Sequence, residues 1–204
     1  IGEARGQSGA VVPRAIGQFD PFLGWSLKPG AVAVSMRTGP AITYRINSKG
    51  LRDDEHAYEK PTGVFRIVLI GDSHTFGFGV PMEQHFSTLL EKSARALEVI
   101  NLGVGGYGTD QAFLRLQVEG FRYAPDLVIA YVPHYANYRH MHARRYGKNK
   151  PRFALVQGEL MLRRASVQPL RIFQILHIVR SFEASLQKKR DTQDEANVRF
   201  RREM

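Results

Sequence analysis

The sequence contains no cysteine. That excludes a disulfide framework, a thiolate nucleophile and any cysteine-ligated metal, and leaves the redox compartment open. No run approaches the 18 apolar residues a membrane-spanning helix requires, and no signal peptide is visible. A chain opening on IGEARGQ fits one whose targeting segment has been removed, so an exported or membrane-tethered location stays open. Acidic side chains are also scarce: 19 Asp and Glu face 29 Lys and Arg, for a net charge of +10. Much of that excess lies in RHMHARRYGKNKPR, Arg139 to Arg152, and in the tail at Lys188–Arg190 and Arg199–Arg202. No helix-turn-helix, zinc-finger or RNA-recognition pattern accompanies the charge, so nucleic acid is not an expected partner. An exposed basic loop, or a surface for an anionic carbohydrate or lipid, accounts for it with fewer assumptions.

What remains is an ordinary globular composition, 43% hydrophobic and 24% charged over 204 residues, enough for one good core. Residues 1–60 read as a partly β N-terminal extension. Its first 18 residues are loosely patterned, Ala41 to Asn47 alternates as a strand, and Asn47 to Gly50 forms a turn. Residues 61–204 read as an α/β domain. Ile67 to Ile70 and Leu127 to Val132 are apolar runs of the fully buried kind, and Glu98 to Asn101 supplies a further strand. Between them, Glu83 to Leu97 sets Phe86, Leu89, Leu90, Ala94 and Leu97 near one helical face, and AFLRLQVEG is a second helix closed by Gly120. Strand, loop and helix repeated in this way predict a parallel sheet covered on both faces, with the loops after the strands gathered at one edge. Leu170 to Arg190 predicts a long amphipathic helix whose apolar band needs a partner, either the sheet or a second copy of the chain.

Three loops converge at that sheet edge by this reading: Gly71 to Gly79, Gly103 to Gly108, and His134 to Asn137. The first places Ser73 directly after a buried strand, where a hydroxyl can serve as nucleophile if a base reaches it and if donors face the developing anion. A turn that merely caps a helix, or a loop that cradles phosphate, uses similar residues. No Gly-x-Gly-x-x-Gly follows the first strand with an acidic residue after the second, and no Gly-Lys-Ser/Thr occurs. No cofactor or metal is therefore expected.

GDSHTFGFG resembles the first block of the SGNH, or GDSL-like, hydrolase family, and NLGVGGYGTDQ is similar to its second block. GWSLKPG and INSKGLRDDE resemble the stretch before the first block in longer bacterial members, so the likeness runs from Trp25 to Tyr138. The resemblance implies a flavodoxin-like three-layer α/β/α sandwich and an acyl ester substrate. Reaction would be by hydrolysis through an acyl-enzyme or by acyl transfer to a carbohydrate; a non-catalytic binding protein on the same fold is the alternative. It implies Ser73 as nucleophile, with the Ser73 and Gly106 N–H groups and the Asn137 amide as oxyanion donors. Tyr138 stands where the family's third block carries Asp, and Asn137 also reads as a loop cap.

The family's Asp-x-x-His block does not occur in this sequence, which implies further strands and an acid–base pair beyond Met204. Within the chain His134 is the better substitute base, ahead of His74; a structural or substrate contact is the plainer reading of each. His140 and His142 have metal-like spacing without a companion carboxylate. His56 and His85 read as solvent-exposed and His177 as a helix-face residue. Asp72 reads as a structural group of the turn and Asp110 as a helix N-cap.

Overall fold

A three-stranded parallel sheet organises the protein, with antiparallel hairpins placed before and after it in sequence. The structure is a computed structural model and describes residues 14–36, 39–134 and 136–163, without the side chains of 14, 136 and 137. The amphipathic helix expected over Leu170 to Arg190, the oligomer contact it implies and the basic tail lie outside these residues.

Strand β1 (Gly17–Asp20) pairs with β2 (Gly24–Leu27), and β3 (Val32–Ser35) with β4 (Ile42–Arg45). The turn after β4 forms as its sequence predicts: the Gly50 N–H donates to the Asn47 carbonyl, and the Asn47 side chain accepts from the Lys49 and Leu51 N–H groups. The central strand β5 (Phe65–Ile70) lies between β6 (Leu97–Asn101) and β7 (Leu127–Ala130), all parallel. Connections run through α2 (Phe86–Lys92) and α3 (Thr109–Val118); α1 (Ser73–Phe76) and α4 (Ala136–Arg139) are single turns after β5 and β7.

Residues alternate between the sheet's faces. Ile67, Leu69 and Val99 pack with Leu90 of α2, whereas Val68, Ile70 and Ile100 pack with Ala112 and Leu116 of α3 and with Leu51 and Tyr123. Each fully buried aliphatic side chain contributes about 1.5–3 kcal/mol, so this alternation is what holds the helices to opposite sides. Expectation and structure part at β7. Leu127 and Ile129 are 43% and 41% exposed, so the run that reads as fully buried is a half-covered edge strand among the described residues.

Helix α2 is also shorter than its periodicity suggests. A 3₁₀ turn, Met82–Gln84, precedes it, the Ser93 hydroxyl caps it by donating to the Leu90 carbonyl, and Leu97 joins β6 opposite Phe65.

The N-terminal hairpins are bound to the second loop by polar contacts. Trp25 Nε1 donates to the Gly105 carbonyl, the Tyr107 hydroxyl to the Trp25 carbonyl at 2.7 Å, and Gln111 Nε2 to the Leu23 carbonyl at 2.7 Å. Trp25, Leu27 and Tyr44 share a core cluster with Phe76, Val104 and Leu114.

Both His56 and His85, expected in solvent, are buried. His85 caps α2, accepting from the Ser87 N–H, and its ring fills the space beside Gly77; burial and the nearby Arg52 charge lower its pKa to about 4. His56 lies 3.8 Å from Asp53 and 3.7 Å from Glu91. Burial, with Glu91 adding to it, pushes the Asp53 carboxyl up to about 8. A carboxyl raised on folding binds its proton more tightly in the native state, so its stabilising contribution is present in acid and is lost as pH rises toward 8. Asp53→Asn is therefore expected to flatten the fall in melting temperature between pH 5 and pH 8, by about 2–4 °C per kcal/mol removed. An equally steep fall in the variant, followed by calorimetry, would contradict this.

Candidate active site

The ends of the three parallel strands bring three loops together. Gly71, Asp72, Tyr107, Gly108, Tyr131 and Pro133 line one cavity of about 20 Å³, so all three loops share a wall. That is room for one water and not for a substrate.

Strand β5 ends at Ile70, and Gly71 turns the chain where a Cβ would strike Thr75 Oγ1 at 2.1 Å. Asp72 then caps α1, accepting the His74 N–H at 2.9 Å. Ser73 is the first residue of α1 and is half-buried; neither its hydroxyl nor its N–H hydrogen-bonds any described residue. An unpaired N–H is normal in a helix's first turn and is available to a ligand.

The second loop is locked against α1. Asn101 Nδ2 donates to the Thr75 carbonyl at 2.8 Å and its Oδ1 accepts the Gly103 N–H at 2.9 Å, while the Val104 N–H donates to the Gly71 carbonyl. Gly106 follows with φ at +85° and an N–H that pairs with no described residue. Its Cα is covered by Tyr146, whose ring lies 2.5 Å from where a Cβ would be.

The third loop is bound through Arg139 on α4. Its Nη1 lies 2.6 Å from Asp72 Oδ2 and 3.0 Å from the Tyr107 carbonyl, so one guanidinium spans all three loops. Burial pushes the Asp72 carboxyl up, but the His74 N–H and the Arg139 guanidinium outweigh it and hold the group below its usual range.

Of the four predicted site residues, Ser73 and Gly106 stand on loops in direct contact. Asn137 lies in α4, and its side chain is outside the description. His134 is exposed on the third loop and makes no hydrogen bond to Ser73 or to any other described residue. His74 has its Nδ1 3.3 Å from Asp72 Oδ1 and its ring beside Tyr131. Among the described residues, no group of three or more His, Asp or Glu is arranged to hold a metal.

Besides Arg139, two supporting residues escaped the sequence reading. Arg52 is buried and donates to the Phe76, Gly77 and Val80 carbonyls, fixing the turn after α1. Lys150 is buried against Asp110, so Asp110 is an ion-pair partner in the first turn of α3, and the N-cap is Gly108. Burial nonetheless lowers the Lys150 pKa. The basic run is thus in part a structural strap, β8 (Arg144–Arg145) and β9 (Lys148–Asn149), whose Asn149 carbonyl lies against Gly24. Only the pairing of INSKGLRDDE with the first block hinted at Arg52. Compared with known proteins, the chain matches no family model and no curated protein.

Proposed function

We propose that this chain carries an SGNH-like, flavodoxin-type hydrolase scaffold that cleaves an ester or O-acyl group through an acyl-enzyme on Ser73. The observation that carries the reading is a half-buried Ser73 hydroxyl after the central parallel strand, on loops bound together by Arg139, with the Ser73 hydroxyl and the N–H groups of Ser73 and Gly106 pairing with no described residue. Ser73 Oγ attacks the acyl carbonyl and loses its proton to a general base, for which His134 is the candidate within the described residues. The oxyanion is held by the Ser73 and Gly106 N–H groups, with the Asn137 amide as third donor. Collapse expels the alcohol, which takes the proton, and water repeats the sequence to release the acid.

p-Nitrophenyl acetate tests this. Ser73→Ala is expected to lower kcat/KM by roughly 10³-fold or more, and His134→Ala by roughly 10²–10⁴-fold. Equal rates for wild type and Ser73→Ala would overturn the assignment. A second reading, a binding protein on the same scaffold, is favoured by the absence of any imidazole hydrogen-bonded to Ser73 among the described residues. It predicts no turnover and an unchanged fold in Ser73→Ala.

A further inference from the structure

The strap of β8 and β9 lies against Gly106, and its turn holds a residue that the backbone there disfavours. Tyr146 and Gly147 both have positive φ, +51° and +73°, as a two-residue hairpin turn requires, and asparagine or glycine takes the first position at less cost than tyrosine. Packing holds Tyr146 in place: its ring covers Gly106 and meets the Trp25 ring edge-on, with 6.3 Å between centroids. Two cations rest on this aromatic pair. Arg145 and Lys148 stand directly opposite each other in the hairpin, so their side chains share one face. The Arg145 guanidinium lies 4.5 Å from the Tyr146 ring centroid and the Lys148 ammonium 5.9 Å from that of Trp25. Like charges so placed repel. The carboxylates of Asp72 and Asp110 are taken by Arg139 and Lys150, and Arg145 forms no ion pair with any described residue. The Arg145 and Arg152 charges add to burial in lowering the Lys150 pKa, a sign of the positive excess here. Arg145 Nη2 donates to the Tyr146 hydroxyl at 2.9 Å, so the hydroxyl's own proton is left for another acceptor.

We propose that Arg145, Lys148 and the Tyr146 hydroxyl bind an anionic group of the substrate beside Gly106, so that the O-acyl group removed at Ser73 is one carried on an anionic carbohydrate. This rests on the reading of Ser73 as nucleophile and names the substrate class of that site. An anion between the two cations relieves their repulsion and takes the hydroxyl's proton. The Tyr146 ring, 37% exposed, offers its face to the C–H groups of a sugar. A neutral ester would leave the cations unrelieved. A lipid would bring an acyl chain to a strap that carries no aliphatic hydrophobic residue from Arg144 to Asn149.

Calorimetric binding of oligogalacturonate to the full chain carrying Ser73→Ala tests it, with a neutral malto-oligosaccharide of equal length as the comparison. The uronate is expected to bind and the neutral oligomer not. Arg145→Gln should weaken binding about tenfold, and Tyr146→Phe, which keeps the ring, about fivefold. Arg144→Gln alters the opposite face of β8 and should change nothing. In the chain with Ser73 intact, the uronate should slow capture of Ser73 by a fluorophosphonate. Equal losses in Arg144→Gln and Arg145→Gln would reduce the effect to diffuse charge and overturn the proposal. So would equal binding of the two oligomers, or capture of Ser73 that a saturating uronate does not slow. Binding is read without the hydroxyl, so a wild type that binds the uronate through Arg145 but does not cleave p-nitrophenyl acetate removes the hydrolase reading and leaves the anion site standing.

Discussion

Gly103→Ala is expected to lower the melting temperature by about 6–12 °C, from a loss of about 3 kcal/mol. A Cβ at this position would lie 2.3 Å from the Phe76 nitrogen and 2.5 Å from the Thr75 carbonyl carbon. Both are backbone atoms of α1, which cannot rotate away as a side-chain tip can. Helix α1 must move as a unit, and Ser73 moves with it. The same change should therefore remove reactivity at Ser73 even where the protein still folds. Gly158→Ala is the control: its Cβ would meet nothing, and only its φ of +87° opposes the change, costing about 1 kcal/mol. Similar melting temperatures for the two variants would show that the second loop is not braced on α1.

Arg139→Ala is expected to cost about 3–5 kcal/mol at pH 7, because it leaves the Asp72 carboxylate, only 3% exposed, without its counter-charge. The sign with pH follows from the depressed Asp72 pKa. Its stabilising contribution exists above the ordinary aspartate range and is lost as pH falls through the lower folded value. Without Arg139 that pKa rises, so the gap in melting temperature between variant and wild type should narrow in acid, where Asp72 is neutral in both. Asp72→Asn in the Arg139→Ala background should restore part of the loss at pH 7, since an amide still accepts the His74 N–H and buries no charge. A gap that is constant with pH and indifferent to residue 72 would reduce Arg139 to a packing residue.

The sheet and the first two loops were legible because local signals coincided. A short apolar run closed by Gly-Asp-Ser reads as a buried strand leading into a turn, and the glycines at 71 and 103 mark close approaches that the structure shows. The third loop was legible in place, but its binding residue was not: Arg139 sits in a run of like charges that reads as solvated until its partner, 67 positions earlier, is known. Lys150 with Asp110, and Arg52 with the carbonyls after α1, were hidden for the same reason. Burial of His56 and His85 has no local sequence signal, because it is set by distant partners, Glu91 of α2 for His56 and Gly77 for His85. Periodicity overran α2, since Ala94 and Leu97 continue an apolar spacing while Ser93 ends the helix.

Covalent capture by an alkyl fluorophosphonate, mapped by peptide mass spectrometry on the full chain, tests the convergence of the three loops most directly. A single adduct on Ser73, lost in Ser73→Ala and weakened by about tenfold or more in Arg139→Ala, is the predicted result. An unmodified Ser73 in folded protein, or adducts spread over exposed serines and tyrosines, would contradict it.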